Sequence, residues 1–300
     1  MRLIKPKVEI INQEPGVEGL FKHMELCART CYKSEDKITE DSARKFIDNV
    51  IVARGHTAML EHGTVYLIVD CSGRLLDVAN KYVNNKYSEW TLHPDGVHYC
   101  ITTNYRVLLQ NGWLDDLQYL CEPTEYHVRR ITVRFICDMG VAREFCRHRV
   151  FSFAQESTRY CNYAKDKFGN ELTFIQPCWI TDESLSHWRT VMNSETEWFR
   201  PNNAFPGINM FLHSLEEAED IYLALINEEG WKPQQARNVL PLALKTELIM
   251  TGTDEQWAGF FNLRCARDAH PQARELAIEL RDRMILAGYI NTYDPGSIQV

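Results

Sequence analysis

Apolar and charged positions alternate through LIKPKVEII near the start of the chain, a period of two that predicts a strand ending near Gly16. The period then lengthens. Leu20, Met24, Cys27 and Cys31 recur at helical spacing, and a second helix is predicted after Thr39, with Ser42 in its first turn, running to Gly55. TVYLIV (64–69) and ITVRFI (131–136) are β-branched, apolar runs that read as strands, the second leading into a helix, MGVAREFCRHR. The second half is strongly helical: Glu183 to Phe199 and Gly207 to Glu229 are amphipathic, and Pro233 suits the first turn of QQARNVL. LKTELIMT reads as a strand before the short helix DEQWAGFFNLR. A last helix from Pro271 to near Gly288 carries an apolar stripe of Ala273, Leu276, Ala277, Leu280, Met284 and Ala287. The class is α/β or α+β with a helix-rich second half. The segment 71–130 is polar in places, with loop signals at Ser72-Gly73, Pro94-Asp95-Gly96 and Asn111-Gly112 and helical pieces in LLDVANKYV and DDLQYL. It has no clear core pattern and reads as an insertion into a single domain spanning 1–300.

Composition narrows the function. Of 300 residues 45% are hydrophobic, enough for a sizeable core, and 33 basic against 41 acidic side chains give a formal charge of −8. That balance argues against a general nucleic-acid coat or a basic membrane-surface protein, so any anion site must come from a local arginine cluster. The N-terminal residues lack a signal-peptide apolar core, the longest uncharged stretch (201–215) is too polar to span a bilayer, and ten cysteines without a C-x-x-C pair fit reduced thiols. The expectation is a cytoplasmic protein.

The cluster is REFCRHRVFSFAQESTRY, Arg143 to Tyr160, with four arginines and a histidine against two glutamates. Arg143 and Arg147 are four apart and would share a helix face, but Arg147, His148 and Arg149 are consecutive and point about 100° apart on a helix. Such a trio suits a helix end fanning around a large anion or across a subunit boundary. Guanidinium forks bind phosphate or carboxylate bidentately, and the following loop, with Ser152, Gln155, Ser157, Thr158 and Arg159, makes a credible phosphate cradle. A solvated basic surface is the better explanation of an arbitrary R-H-R; the serines and arginine that follow favour a site.

RHRVFSFAQESTRY resembles the signature of flavin-dependent thymidylate synthases, an R-H-R triplet followed after seven residues by serine, here Ser157. GHTAMLEH (55–62), ARNVLPL (236–242) and FFNLRCARDAHPQARELA (260–277) resemble three further blocks of that family, in its order. The resemblance implies a thymidylate synthase-complementing-type fold with a central mixed or antiparallel sheet. It also implies the reductive methylation of deoxyuridylate (dUMP) to thymidylate (dTMP), methylenetetrahydrofolate giving the carbon and FAD, reduced by NADPH, the hydride. The family's site is built between subunits of a homotetramer.

Carried over by position, Glu144, Arg147, Gln155, Ser157, Arg159, Arg237 and Arg264 would bind dUMP, and Arg147, His148, Arg149 and Gln155 would bind FAD. Arg264 would polarise the pyrimidine, a fixed cation stabilising the anion that develops there. His56 would lie near folate and flavin, and Ser157 would bind rather than attack. Ala154-Gln155 replaces the family's usual Asn-Glu, Glu144 stands where glutamine is common, and Ala58 and Gly259 replace residues that often touch FAD. A nucleotide- or flavin-binding protein without the activity is the alternative these departures leave open, while an RNA or single-stranded DNA binder is disfavoured by the charge. His23, Cys27 and Cys31 lack a fourth metal ligand and read as core, as do Cys146 and Cys161. His62 reads as structural, His270 as a cap or a ligand contact, and the aromatics around Tyr99 and Tyr105 as packing. No metal is expected.

Overall fold

Pro6 interrupts the opening strand, because it has no amide hydrogen to give a ladder. In a computed structural model, which describes residues 1–70, 75–186 and 206–290, the alternating stretch accordingly divides into β1 (Arg2–Ile4) and β2 (Lys7–Ile11). They join different sheets: β1 pairs in parallel with β8 (Thr173–Ile175), and β2 lies on the edge of an antiparallel sheet. That central sheet has the order β2-β6-β9-β7, with β6 (Arg130–Asp138), β7 (Ser152–Gln155) and β9 (Lys245–Thr253). The arrangement is the antiparallel α/β fold expected from the sequence.

Alternation along β6 and β9 separates two buried faces. Ile131, Val133, Phe135 and Cys137, with Leu248 and Met250 across the ladder, pack under α5 (Met139–Phe145) and the two C-terminal helices described below. The other face carries Thr132, Arg134, Glu247 and Thr251 and lies under α1 (Gly16–Tyr32). Polar side chains survive there because they bond one another. His23 Nε2 is 3.0 Å from Thr132 Oγ1, which is 2.8 Å from Thr251 Oγ1, itself 2.8 Å from His62 Nδ1. Burial holds both rings neutral, pulling the pKa of His23 to about 4 and of His62 to about 3. His62 is thus structural, though its partner is Thr251; Glu61 pairs with Arg106 instead. Cys27 is buried against Ala154 and Ile249.

The second predicted helix runs as α2 (Ser42–Phe46) and continues as a wider π turn over Ile47–Val52. A 3₁₀ turn, Thr57–His62, leads into β3 (Thr64–Asp70). The segment 71–130 holds more than the helical pieces read from sequence. Besides α3 (Leu75–Val83), α4 (Tyr105–Asn111) and a 3₁₀ turn at Leu114–Tyr119, it contributes β4 (Glu89–Leu92) and β5 (His98–Asn104), which form a separate three-stranded sheet with β3 in which β5 is central. Its apolar side is covered by α1 and the π turn, through Leu20, Met24, Ile47 and Ile51 against Val65, Leu67 and Ile101. The core of this segment is therefore shared with residues far upstream, which is why the segment alone shows no core pattern. Tyr105 belongs to it, edge-on to Phe21 at 5.2 Å.

In the second half, α6 (Pro206–Asn227), the short α7 (Pro233–Ala236), α8 (Asp254–Arg264) and α9 (Pro271–Leu286) match the predicted helices. QQARNVL is only partly α-helical, passing into a 3₁₀ turn at Arg237–Val239. A capping box between Thr253 and Gln256 starts α8. Five of the six stripe positions of α9 are buried, all but Ala287 beyond its end. Of the predicted helix Glu183 to Phe199, residues from 187 onward lie outside the described residues.

Candidate active site

The arginine motif sits where α5 ends. The helix stops at Phe145, four residues before the end of the predicted stretch, so Arg147 is not on the helix face of Arg143. Two aromatic anchors bracket the trio: Phe145 and Phe151 are both buried and pack with Trp257 and Phe260 of α8. Phe151 lies so close to β9 that a side chain at Gly252 would meet its ring at 2.5 Å, which explains glycine there. With both flanks pinned, the trio fans out as its spacing suggested: His148 turns inward, 5.0 Å from the Phe260 ring, while Arg147 and Arg149 are exposed. The segment after it differs from expectation. Ser152–Gln155 is not a loop but β7, because Ser152, Ala154 and their neighbours complete the ladder along β9. The turn begins at Glu156.

Two constellations result. In the first, Arg264 at the end of α8 reaches back to the motif: its Nε donates to His148 Nε2 (2.9 Å), its Nη1 to Glu144 Oε2 (2.7 Å) and its Nη2 to the Glu144 carbonyl (2.7 Å). A His148 Nε2 that accepts must be unprotonated. Burial, followed by the Arg264 charge, draws its pKa down to about 4. Three of the five guanidinium donors are thus engaged, leaving two.

The second lies at the turn after β7. The Ser157 amide donates to the Cys31 carbonyl (3.0 Å) and its Oγ accepts the Arg159 amide (3.3 Å). The Tyr160 ring lies 5.2 Å from that of Tyr32, whose hydroxyl is 2.5 Å from His56 Nδ1. Ser157, Arg159 and His56 are so drawn to one region by Tyr32, a residue that sequence reasoning missed. Behind the turn is a buried ion network, also missed: Lys245 Nζ bonds Glu156 Oε2 (2.8 Å) and Glu247 Oε1 (2.6 Å), Lys33 Nζ bonds Glu247 Oε1 (2.8 Å), and the Tyr163 hydroxyl donates to Glu156 Oε1 (3.0 Å). Burial opposes the charge on Glu247, yet Lys245 and Lys33 prevail and hold its pKa at about 2. Opposite charges two apart in LKTELIMT were the available signal.

Gln155 faces Met139 Sδ (3.7 Å) and Thr246 Oγ1 (3.4 Å), while Ala154 is buried. The ARNVLPL element docks where the Met139 amide meets the Leu242 carbonyl, but Arg237 itself is exposed. Arg147, Arg149, Arg159 and Arg237 have no carboxylate partner among the described residues, in a chain with eight more acidic than basic groups. Such a set fits a ligand with several phosphates, a dinucleotide included. His270 precedes α9 without a side-chain capping bond and meets the Trp179 ring edge-on at 6.1 Å. Cys161 and Cys146 are packing residues, burial raising the first thiol to about 12 and the second above its usual range. Neither is a thiolate near neutrality, so Cys146→Ala and Cys161→Ala are expected to leave turnover within a small factor of wild type in initial-rate assays.

Fold and site define an antiparallel α/β protein with a cluster of exposed arginines beside the Arg264–His148–Glu144 centre. Residues 123–286, more than half of the chain, match the thymidylate synthase complementing protein family, and the chain belongs to that family. The flavin-dependent thymidylate synthase of Geobacter sulfurreducens is 28% identical over 141 residues, 47% of this chain and 50% of that relative. The enzyme of that name from Synechocystis sp. is 28% identical over 200 residues, 63% and 84% of the two chains. The chain spans about half the length of the relatives from Geobacter sulfurreducens and Pyrococcus furiosus, 50% and 51%. Among solved structures, the UMP/dUMP methylase PolB from Streptomyces cacaoi, bound with 5-Br dUMP, aligns with 95% of this chain and 93% of its own at 15% identity and TM-score 0.43. Thymidylate synthase X from Helicobacter pylori, with FAD and dUMP, aligns over 92% of each chain at 15% identity and TM-score 0.38. No helix among the described residues is long and apolar enough to cross a membrane.

Proposed function

We propose that this protein is a flavin-dependent thymidylate synthase that converts dUMP to dTMP, with methylenetetrahydrofolate as carbon donor and NADPH as reductant. The observation that carries the reading is the clamp of Arg264 onto His148 and Glu144, 116 and 120 residues apart in sequence, because it joins two of the family's motif blocks into one polar centre. FAD, held by Arg147, His148, Arg149 and Gln155, supplies the hydride when bound. Arg264, its orientation fixed by its protein partners, uses its remaining donors to polarise the pyrimidine; neutral His148 and Glu144 aim it. Arg147, Ser157, Arg159 and Arg237 bind the nucleotide, and Glu144 and Gln155 add polar contacts. His56, held by Tyr32, orients the folate.

A homotetramer is part of the proposal. Three of the four blocks leave large apolar side chains in water: Val150 (64% exposed) and Tyr160 (52%) in the R-H-R block, Leu242 (55%) in ARNVLPL and Leu263 (64%) in the last. Apolar groups beside unpaired arginines suit burial by neighbouring copies that complete the site. We place the enzyme in the cytoplasm, where its co-substrates are. The test is anaerobic turnover with dUMP, methylenetetrahydrofolate and NADPH, with FAD omitted in the control. Formation of dTMP that depends on FAD, from a protein that purifies yellow or turns yellow with added FAD, is expected. A colourless protein that takes up no FAD and makes no dTMP would refute the reading.

A further inference from the structure

Between the three-stranded sheet and the central sheet lies a cavity of about 400 Å³, open to solvent, with a wall on each side. The central side supplies Arg149 of the motif and Arg130 at the start of β6; the 71–130 segment supplies Lys86, Arg106 and Glu89; Glu61 comes from the turn before β3. Four cations against two carboxylates make the cavity positive inside an acidic chain.

Arg130 is the informative member. Its guanidinium bonds only two hydroxyls, Thr64 Oγ1 at 3.3 Å and Ser152 Oγ at 3.5 Å, with no carboxylate in ion-pair range among the described residues. Burial disfavours its charge and lowers its pKa. Glu61 opposes this only from a distance, because it is paired with Arg106. A desolvated cation with no carboxylate in contact is costly, and an anionic ligand relieves that cost. Arg106 is half satisfied. One terminal nitrogen is held by Glu61, which fixes the side chain, while its Nε is sealed from solvent without a partner. Lys86 is exposed at the rim, its ammonium 4.8 Å from the centre of the Tyr87 ring.

We propose that the 71–130 segment completes a binding pocket for the diphosphate of a dinucleotide, with Lys86 and Arg106 as binding residues that join Arg130 and Arg149. The proposal rests on the functional reading above only in taking a dinucleotide as the ligand; the cavity's charge is independent of it. Fixed guanidinium groups grip phosphate oxygens through charged hydrogen bonds, and the rim lysine adds a point charge. The diphosphate could be that of the flavin or of the nicotinamide co-substrate, and the two are separable.

The full chain, purified free of flavin, is titrated by calorimetry with ADP, inorganic pyrophosphate and adenosine. Lys86→Glu, at an exposed position that does not threaten folding, and Arg106→Gln are each expected to weaken ADP and pyrophosphate about tenfold, the effect of losing one charged hydrogen bond. Adenosine binding stays unchanged, and Arg106→Lys, which can still pair with Glu61, recovers part of the loss. A parallel loss of FAD affinity assigns the pocket to the flavin; a rise in the NADPH KM with FAD affinity intact assigns it to the nicotinamide dinucleotide. Wild-type protein that binds neither ADP nor pyrophosphate, or variants that bind both as wild type does, overturns the proposal. The synthase reading survives that outcome if FAD-dependent turnover persists, and it fails alone if the variants lose ADP while wild type makes no dTMP.

Discussion

Arg264→Ala is expected to lower kcat/KM for dUMP by about a thousandfold while FAD remains bound. The argument starts from what the side chain already does. A guanidinium held by three protein acceptors at 2.7–2.9 Å cannot reorient when charge builds on a substrate, so its stabilisation is pre-organised. Losing one such donor typically costs about 10²–10³ in rate, and a bidentate cation more. Lysine cannot reproduce the fork, so Arg264→Lys is expected to recover little. A second readout separates a site effect from misfolding. The His148 pKa is near 4 first because of burial and second because of Arg264. Removing the cation raises it toward the usual 6.5 without restoring it fully, an upward shift that NMR titration of the imidazole detects. Retained turnover with flavin lost would contradict the assigned role.

How much of this was readable in the sequence follows from the range of the forces involved. Local pattern located α1, α8, α9, β6 and β9, because each helix buries one face and each strand is a largely apolar, β-branched run buried on both, which needs no distant information to show it. The strand in LKTELIMT was evident even with Lys245 and Glu247 in it, but their purpose was not. Their partners, Lys33 and Glu156, are remote in sequence, and only the register of β9 beneath α1 brings them together. The same limit explains β4 and β5. Ile101 of β5 packs in a cluster with residues of α1 far upstream, and Trp90 and Leu92 of β4 are exposed, so these strands do not announce a core within 71–130. Pro6 was a local signal that the alternating pattern overrode. For the site, resemblance to the motif blocks named Arg264, His148 and Glu144 separately, and in the structure Arg264 hydrogen-bonds both of the others. It could not foresee Tyr32, which lies outside every quoted block and acts by holding His56. Nor could it tell which members of the R-H-R trio face inward, since that depends on Phe145 and Phe151 finding pockets beside Trp257.

Lys245→Met is expected to be the most destabilising single change near the site, by about 3–5 kcal/mol, the usual cost of stripping a buried ion network of one partner. Lys245 is the cation between Glu156 (3% exposed) and Glu247 (7% exposed), so methionine of similar length fills the space but leaves two carboxylates facing each other out of water. On thermal unfolding the midpoint should fall by about 10 °C at pH 7. The pH dependence then discriminates charge from packing. In wild type, Glu247 titrates in the folded state at about 2 against 4.5 when unfolded, so its contribution is present above pH 4.5 and is lost as pH falls toward 2. In the variant, burial acts with less opposition and raises the folded pKa above its present value. The penalty is then full at neutral pH and shrinks as acid protonates Glu247. The gap between the two proteins should therefore be smaller at pH 3 than at pH 7. A gap of constant size would mean that the lysine matters for its volume and not for its charge. Because the Glu156 amide bonds the Glu247 carbonyl and the next residue is Ser157, loosening the network also loosens the turn that carries Ser157 and Arg159, the residues proposed to bind the nucleotide. The dUMP KM should rise more than FAD affinity falls, a split that a uniformly weakened fold would not produce.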